Sequence, residues 1–316
     1  MKNLSAIIIG GTGQYGILMS QLLLRKNYKV YITTRFNKKK INLKKKFTKI
    51  NFLKLNIYNK NEIKKILVKL RPDLVFYFAG QSSPQLSFHK RKETFKSNYE
   101  GCKNVLEVIF KNNLDIKFLN ATSSEMYGRI NGKINLSSPK NPLNPYGEAK
   151  KKSFNLVKEY RRKYKMKNYN AILFNTESFL RKKNFLIPKI CLAAINAFRS
   201  NKKTNINNIL VSREWNWCEN QCQLLFKFLK KKPQDFILSN GQSYSIKKML
   251  IFAFGYFNLN YKDYINVKNF SLTKNEVKIK KTNYKICLKR NNIKIKNIIY
   301  GKILIYKMIK FYLNEK

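Results

Sequence analysis

Two hydrophobic periods alternate through the first half of the chain. Apolar, β-branched runs fall at Ala6–Ile9, Lys29–Thr33, Phe52–Leu55, Leu74–Phe78, Ile116–Asn120 and Ala171–Phe174. Segments with helical spacing lie between them at Tyr15–Lys26, Lys60–Leu70, Thr94–Lys111 and Tyr146–Tyr164. This alternation leaves few folds open, because parallel strands need crossovers, and crossover helices cover both faces of the sheet. The strand runs are apolar nearly throughout, as strands buried on both faces must be. The chain is therefore expected to be α/β, a doubly wound parallel sheet. After about Phe179 the pattern turns irregular, which predicts a smaller C-terminal lobe of short elements and loops. The expected division is 1–175 and 176–316, with part of the latter returning to the sheet.

The first βα turn narrows this to a Rossmann-type sheet. Gly10-Gly11-Thr12-Gly13-Gln14-Tyr15-Gly16 holds four of the chain's twelve glycines in seven positions, between the first strand and the first helix. Glycines there let the backbone turn tightly and approach a pyrophosphate seated on the helix N-terminus. A dinucleotide cofactor is the expectation. The second strand runs into Thr33-Thr34-Arg35, and no carboxylate precedes Glu62. The acid that would bind an NAD ribose is thus absent, while an arginine suits the 2′-phosphate of NADP. NADP is predicted, with Arg35 read alternatively as one more surface cation.

Composition removes other chemistries. His89 is the only histidine, and the five cysteines are scattered, with Cys218 and Cys222 the only close pair. A His-rich metal centre, a paired Cys zinc site and a disulfide scaffold are all excluded. The 66 Lys and Arg against 16 Asp and Glu give a net charge of +50. That balance suits a polyanion partner, nucleic acid or an anionic membrane. It better suits an AT-rich coding sequence, which favours the abundant Lys, Asn, Ile, Phe and Tyr together. The cations are spread evenly and no nucleic-acid-binding motif accompanies them, so no specific nucleic-acid partner is predicted. The longest uncharged apolar stretch, near Met249–Leu259, is too short to span a bilayer. Ile298–Leu313 has the spacing of an amphipathic helix packed on the body. No secretory signal opens the chain, and a cytoplasmic location is expected.

Two further motifs carry chemistry. The fifth strand runs into Thr122-Ser123-Ser124-Glu125-Met126-Tyr127-Gly128, beyond the carboxyl end where open α/β sheets bind ligands. Asn144-Pro145-Tyr146-Gly147-Glu148-Ala149-Lys150 opens a helix with Tyr146 and Lys150 on one face. A phenol with a reference pKa of about 10 is a poor base at neutral pH. A lysine one turn away stabilises its phenolate and makes Tyr146 a usable acid/base.

These motifs, with Ala79-Gly80-Gln81-Ser82, Ile172-Leu173-Phe174-Asn175-Thr176-Glu177-Ser178, Arg213-Glu214-Trp215 and Pro233-Gln234-Asp235-Phe236, resemble the extended short-chain dehydrogenase/reductases. Within them the chain is most similar to the GDP-mannose 4,6-dehydratase family, from residue 5 to about residue 250. The resemblance implies a lyase with a substrate-binding C-terminal lobe, and a tightly bound NADP regenerated in each turnover. It implies catalytic roles for Ser123, Glu125, Tyr146 and Lys150. It also implies cofactor contacts from Gly10, Thr12, Gly13, Gln14, Gly16, Arg35, Asn56, Ala79, Gln81, Tyr146 and Lys150. Substrate contacts fall to Ser82, Asn175, Glu177, Lys189, Arg213 and Glu276, with GDP-mannose the expected substrate and no metal. A homo-oligomer is implied too, a dimer rather than the family's tetramer, because lysines replace the Ser-rich loop after strand two.

The chain departs from the family at Tyr15, where an Asp is usual, and at Phe36, where a second Arg stands. Thr176 replaces a His, Phe179-Leu180 replaces Pro-Arg, and Thr273-Lys274 lacks an expected Arg. Another nucleotide-sugar dehydratase, an epimerase, a 4-keto reductase or a non-enzymatic basic binder on the same frame therefore remain alternatives.

Overall fold

The computed structural model describes residues 4–34, 48–130, 132–268 and 281–315. Arg35, Glu276, Phe36, Thr273-Lys274 and the lysine-rich stretch Lys38–Lys46 lie outside them. The described chain divides into two compact units: 1–129, 136–173 and 222–238 form the first, and 130–135, 174–221 and 239–316 the second.

The first unit is built on seven parallel strands: β1 (Ser5–Ile9), β2 (Lys29–Thr34), β3 (Asn51–Lys54), β4 (Leu74–Tyr77), β5 (Lys117–Ser123), β6 (Asn168–Leu173) and β7 (Asp235–Leu238). Their order is β7-β6-β5-β4-β1-β2-β3. The winding direction reverses between β1 and β4, so the loops leaving those two strands face a topological switch point. Four longer helices matter to the site: α1 (Gln14–Leu24), α2 (Lys60–Leu70), α3 (Gly101–Lys111) and α4 (Pro145–Tyr164). Side chains of α2, α3 and α4 meet the sheet in one core, with Ile63, Leu67, Val105, Leu106, Ile109 and Val157 against Ile7, Val75, Tyr77 and Phe118.

Local sequence sets the helix ends. Asn59 caps α2 by accepting from the backbone N–H of Asn61 and Glu62. Asn144 caps α4, Pro145 follows where a missing N–H costs nothing, and Arg161, Arg162 and Lys163 face the negative end of the helix dipole. Beneath α4 a buried polar chain ties helix to sheet. Asn120 of β5 donates to Asn170 of β6 at 3.1 Å, Asn170 to Asp235 of β7 at 2.9 Å, and Arg161 of α4 to Asp235 at 2.8 Å.

The predicted run Thr94–Lys111 is interrupted. Helix begins already at Arg91, turns π at Lys96–Glu100 and continues as α3. The Tyr77 hydroxyl of β4 donates to the Ser97 carbonyl there at 2.7 Å.

The second unit is more regular than its sequence predicts. It holds helices Leu186–Ser200, Ile246–Gly255 and Gly301–Asn314, which pack Ile190, Ala194, Met249, Leu250, Leu304, Ile305 and Met308 into a core of their own. The last of these is the amphipathic helix expected near Ile298–Leu313. Among the described residues, no helix is long and apolar enough to cross a membrane.

Candidate active site

At the switch point, Gly10 has φ +83°, and a Cβ on it would stand 2.5 Å from the Ala79 backbone nitrogen. The two loops therefore touch through backbone, which only glycine permits. A Cβ on Gly16 would strike the carbonyl of Gly11, so α1 enters close against the turn. Gly13 differs: a Cβ there would meet only the Gly10 oxygen, at 3.7 Å, and otherwise open space. Gly13 caps α1 with no side chain, and α1 has no acid in its first turn. A turn open at Gly13 and a positive helix end fit the pyrophosphate of a dinucleotide. Thr12 is half-buried in the turn, and Tyr15 packs its ring on Phe78, with centroids 5.4 Å apart.

Other expected cofactor residues shape their own loops. Gln81 donates to the Ser83 carbonyl at 2.7 Å and accepts from the Ser83 N–H at 3.0 Å. Asn56 accepts from the Tyr58 N–H at 3.1 Å. Ser82 is exposed.

The catalytic candidates come together around the end of β5 and the start of α4. Ser123, buried at the strand end, accepts from the Glu125 N–H at 3.2 Å and so caps a single 3₁₀ turn, Ser124–Met126. That turn presents the half-buried Glu125, whose Oε2 accepts from Asn144 Nδ2 at 2.9 Å. The other end of the same amide caps α4, with Asn144 Oδ1 accepting from the Gly147 N–H at 2.8 Å. A Cβ on Gly147 would stand 2.5 Å from the Glu125 carbonyl, so the first turn of α4 lies directly on the backbone of Glu125.

Tyr146 sits half-buried in that turn, and Lys150 follows one turn later, only 5% exposed. Lys150 Nζ donates to the Ala121 carbonyl of β5 at 2.7 Å and lies 5.8 Å from the Tyr146 ring centroid. Burial lowers the Lys150 pKa from 10.5 to about 8, with Cys102 nearby acting weakly the other way. A poorly solvated cation one helical turn from a phenol favours phenolate. One hydroxyl, one carboxylate, one phenol and one ammonium thus stand on two connected elements. Asn144 was quoted in the sequence motif without a role; an Asn before Pro at a helix start was the signal for its cap, but nothing in the sequence showed that it also holds Glu125.

Asn175, Glu177, Lys189 and Arg213 belong to the second unit. Asn175 is exposed, and its carbonyl accepts from both the backbone N–H and the side-chain amide of Asn216, each at 2.9 Å. Glu177 is 3% exposed, 3.8 Å from Arg181 Nε, and burial pushes its pKa up to about 7 against the pull of that arginine. Lys189 is exposed on the Leu186–Ser200 helix. Arg213 is half-buried in a two-residue strand whose antiparallel partner is Tyr244–Ser245, and it donates to the Ser212 carbonyl at 2.8 Å.

A family model described as GDP-mannose 4,6 dehydratase matches residues 7–293. The chain belongs to the GDP-mannose 4,6-dehydratase family. Its members are carbon–oxygen lyases of nucleotide-sugar metabolism. GDP-mannose 4,6 dehydratase 1 of Arabidopsis thaliana is 29% identical over 281 residues, covering 83% of this chain and 77% of that one. The Homo sapiens GDP-mannose 4,6 dehydratase is 26% identical over 260 residues, covering 78% and 70%. Among solved structures, Pal from Bacillus thuringiensis superposes with a TM-score of 0.86 at 20% identity, covering 99% of this chain and all of that one. DesIV, a dTDP-glucose 4,6-dehydratase from Streptomyces venezuelae with NAD and TYD bound, gives 0.85 at 16% identity, covering 99% and 98%. At these identities the structural likeness speaks for the Rossmann-type fold.

Proposed function

We propose that the chain converts GDP-mannose to GDP-4-keto-6-deoxymannose, with NADP as its resident cofactor. The observation that carries this reading is Glu125, held by Asn144 against the first turn of the Tyr146–Lys150 helix. A simple reductase has no use for a carboxylate there, whereas a dehydration needs a base.

The chemistry the cofactor supplies when bound is reversible hydride transfer, out of sugar C4 at the start and back to C6 at the end. Tyr146 takes the proton of the 4-hydroxyl, helped by the nearby Lys150 ammonium. Ser123 donates to the 4-oxygen. The C4 ketone acidifies the hydrogen on C5, and Glu125 removes it. Glu125 then returns that proton to the departing 6-hydroxyl, which leaves as water, and C5 takes back a proton once C6 is reduced, matching the one that Tyr146 gives up as it returns to its starting state. Gly10, Thr12, Gly13, Gln14, Gly16 and Ala79 hold the dinucleotide, and Arg35 with the missing early carboxylate favours NADP over NAD. Asn175, Glu177, Lys189 and Arg213 bind the nucleotide sugar, the cations taking its diphosphate through charge-assisted hydrogen bonds.

Purified protein incubated with NADP and GDP-mannose should yield a product lighter by one water in mass spectrometry. No such product, with NADP bound, refutes the substrate. Thr176 and Phe179-Leu180, where the family has other residues, then favour a different nucleotide sugar.

A further inference from the structure

Glu214 is fully buried in the second unit. Its carboxylate gathers donors from two distant segments. Oε2 accepts from the Ser239 hydroxyl, from the N–H of Asn240 at 3.3 Å and of Gly241 at 2.7 Å, and from the Thr282 hydroxyl at 3.1 Å. Oε1 accepts from the Thr282 N–H. The Asn240 side chain donates in turn to the Trp215 carbonyl at 2.7 Å. Beyond Thr282, the Ile134 N–H donates to the Lys281 carbonyl at 2.8 Å and the Asn283 N–H to the Ile134 carbonyl at 3.0 Å. Among the described residues, the five groups that donate to the carboxylate are all neutral, and only a group with acceptors at both ends satisfies them together.

Glu214 follows Arg213 directly. The short strand carrying Arg213 has two ladder pairs, Arg213 with Tyr244 and Ser212 with Ser245, and one backbone bond beyond them, from the Ile246 N–H to the Val211 carbonyl at 2.9 Å. So small a ribbon is marginal by itself. The five hydrogen bonds on the next residue anchor it on the side where the ladder stops.

We propose that Glu214 is a positioning residue for Arg213, fixing the backbone from which that guanidinium reaches the diphosphate of the nucleotide sugar. This rests on the diphosphate role given to Arg213 above. Glutamine in its place turns one acceptor end into a donor aimed at donors. Asp keeps both acceptors on a shorter stem.

The test is a double-mutant cycle on the full chain, read by calorimetric binding of inorganic pyrophosphate and by KM and kcat on GDP-mannose. Glu214→Gln and Arg213→Met should each weaken pyrophosphate binding and raise KM about 10-fold, the worth of one charge-assisted hydrogen bond, with kcat nearly unchanged. Combined, they should do no more than either alone, because the second change acts through the first. Glu214→Asp should restore most of the loss. Should Glu214→Gln fail to fold, Thr282→Val, which removes one donor, should show a smaller loss that also vanishes in the Arg213→Met background. Additive losses, an Arg213→Met protein that binds pyrophosphate like wild type, or wild type that binds none, overturn the proposal. A non-additive pyrophosphate cycle in a protein that does not turn over GDP-mannose supports it and refutes only the substrate.

Discussion

Lys150→Met should inactivate the protein and also make it more stable. Burial lowers the lysine pKa from 10.5 to about 8, and each tenfold change is worth about 1.4 kcal/mol, so keeping the ammonium buried at neutral pH costs roughly 3 kcal/mol. The hydrogen bond to the Ala121 carbonyl offsets about 1 kcal/mol of that. Methionine keeps a buried stem without the charge, and a net gain of about 2 kcal/mol at pH 7 follows. The sign with pH is fixed by the direction of the shift. At pH 7 both folded and unfolded chains hold the proton, and wild type carries the whole cost. Above pH 8 the folded chain releases it while the unfolded chain keeps it, so wild type regains stability. The gap between the two proteins should narrow by about 2 kcal/mol between pH 7 and pH 9.5. Urea unfolding of both proteins at both pH values measures this, and the remaining titrating groups cancel because the two chains share them. A constant gap, or a variant less stable than wild type at pH 7, would refute the argument.

Glu125→Gln should abolish formation of the dehydrated product while NADP affinity, measured by fluorescence titration, stays within about threefold of wild type. Gly10→Ala, at φ +83° and 2.5 Å from the Ala79 nitrogen, should lower stability in urea by about 3 kcal/mol. Gly13→Ala, whose Cβ would meet only the Gly10 oxygen, in ordinary contact at 3.7 Å, should leave stability unchanged or slightly raised yet weaken NADP binding about 10-fold or more in the same titration. Glu177, its pKa pushed up to about 7 by burial, should give wild type stability that is present below pH 4.5 and lost as the pH rises through 7. Relative to Glu177→Gln, wild type should therefore lose ground between those values in parallel thermal melts.

The sheet was legible because its strands are buried on both faces and written in nearly unbroken apolar letters, as in Ala6–Ile9 and Leu74–Tyr77. Helix α2 was read with correct ends from its helical spacing, and the Asn59 cap agrees with the start. β7 went unread as a strand: four residues behind the lysine run Lys230-Lys231-Lys232 carry too little periodicity to compete. The Leu186–Ser200 helix was hidden by Pro188, which reads as a breaker but stands in the first turn, where the ring is tolerated. At the site, residue types were legible and environments were not. The string containing Glu177 was recognised, but its surroundings include Tyr312 and Cys191, whose pKa values its carboxylate raises, and Tyr312 lies 135 residues further along the chain. Glu214 was matched within its motif, while its donors come from segments 25 to 68 residues away.

Asn144 couples the fraying of α4 to the hold on Glu125. Its oxygen closes the first turn of α4 while its nitrogen steadies Glu125, so that turn cannot open without loosening the Glu125 carboxylate. Serine, threonine or aspartate would cap the helix nearly as well. An ionised aspartate would face Glu125 with like charge, and the hydroxyls are too short to span both partners. Selection for a well-started helix alone would accept four residue types at this position. The need for a hydrogen-bond donor toward Glu125 reduces them to one.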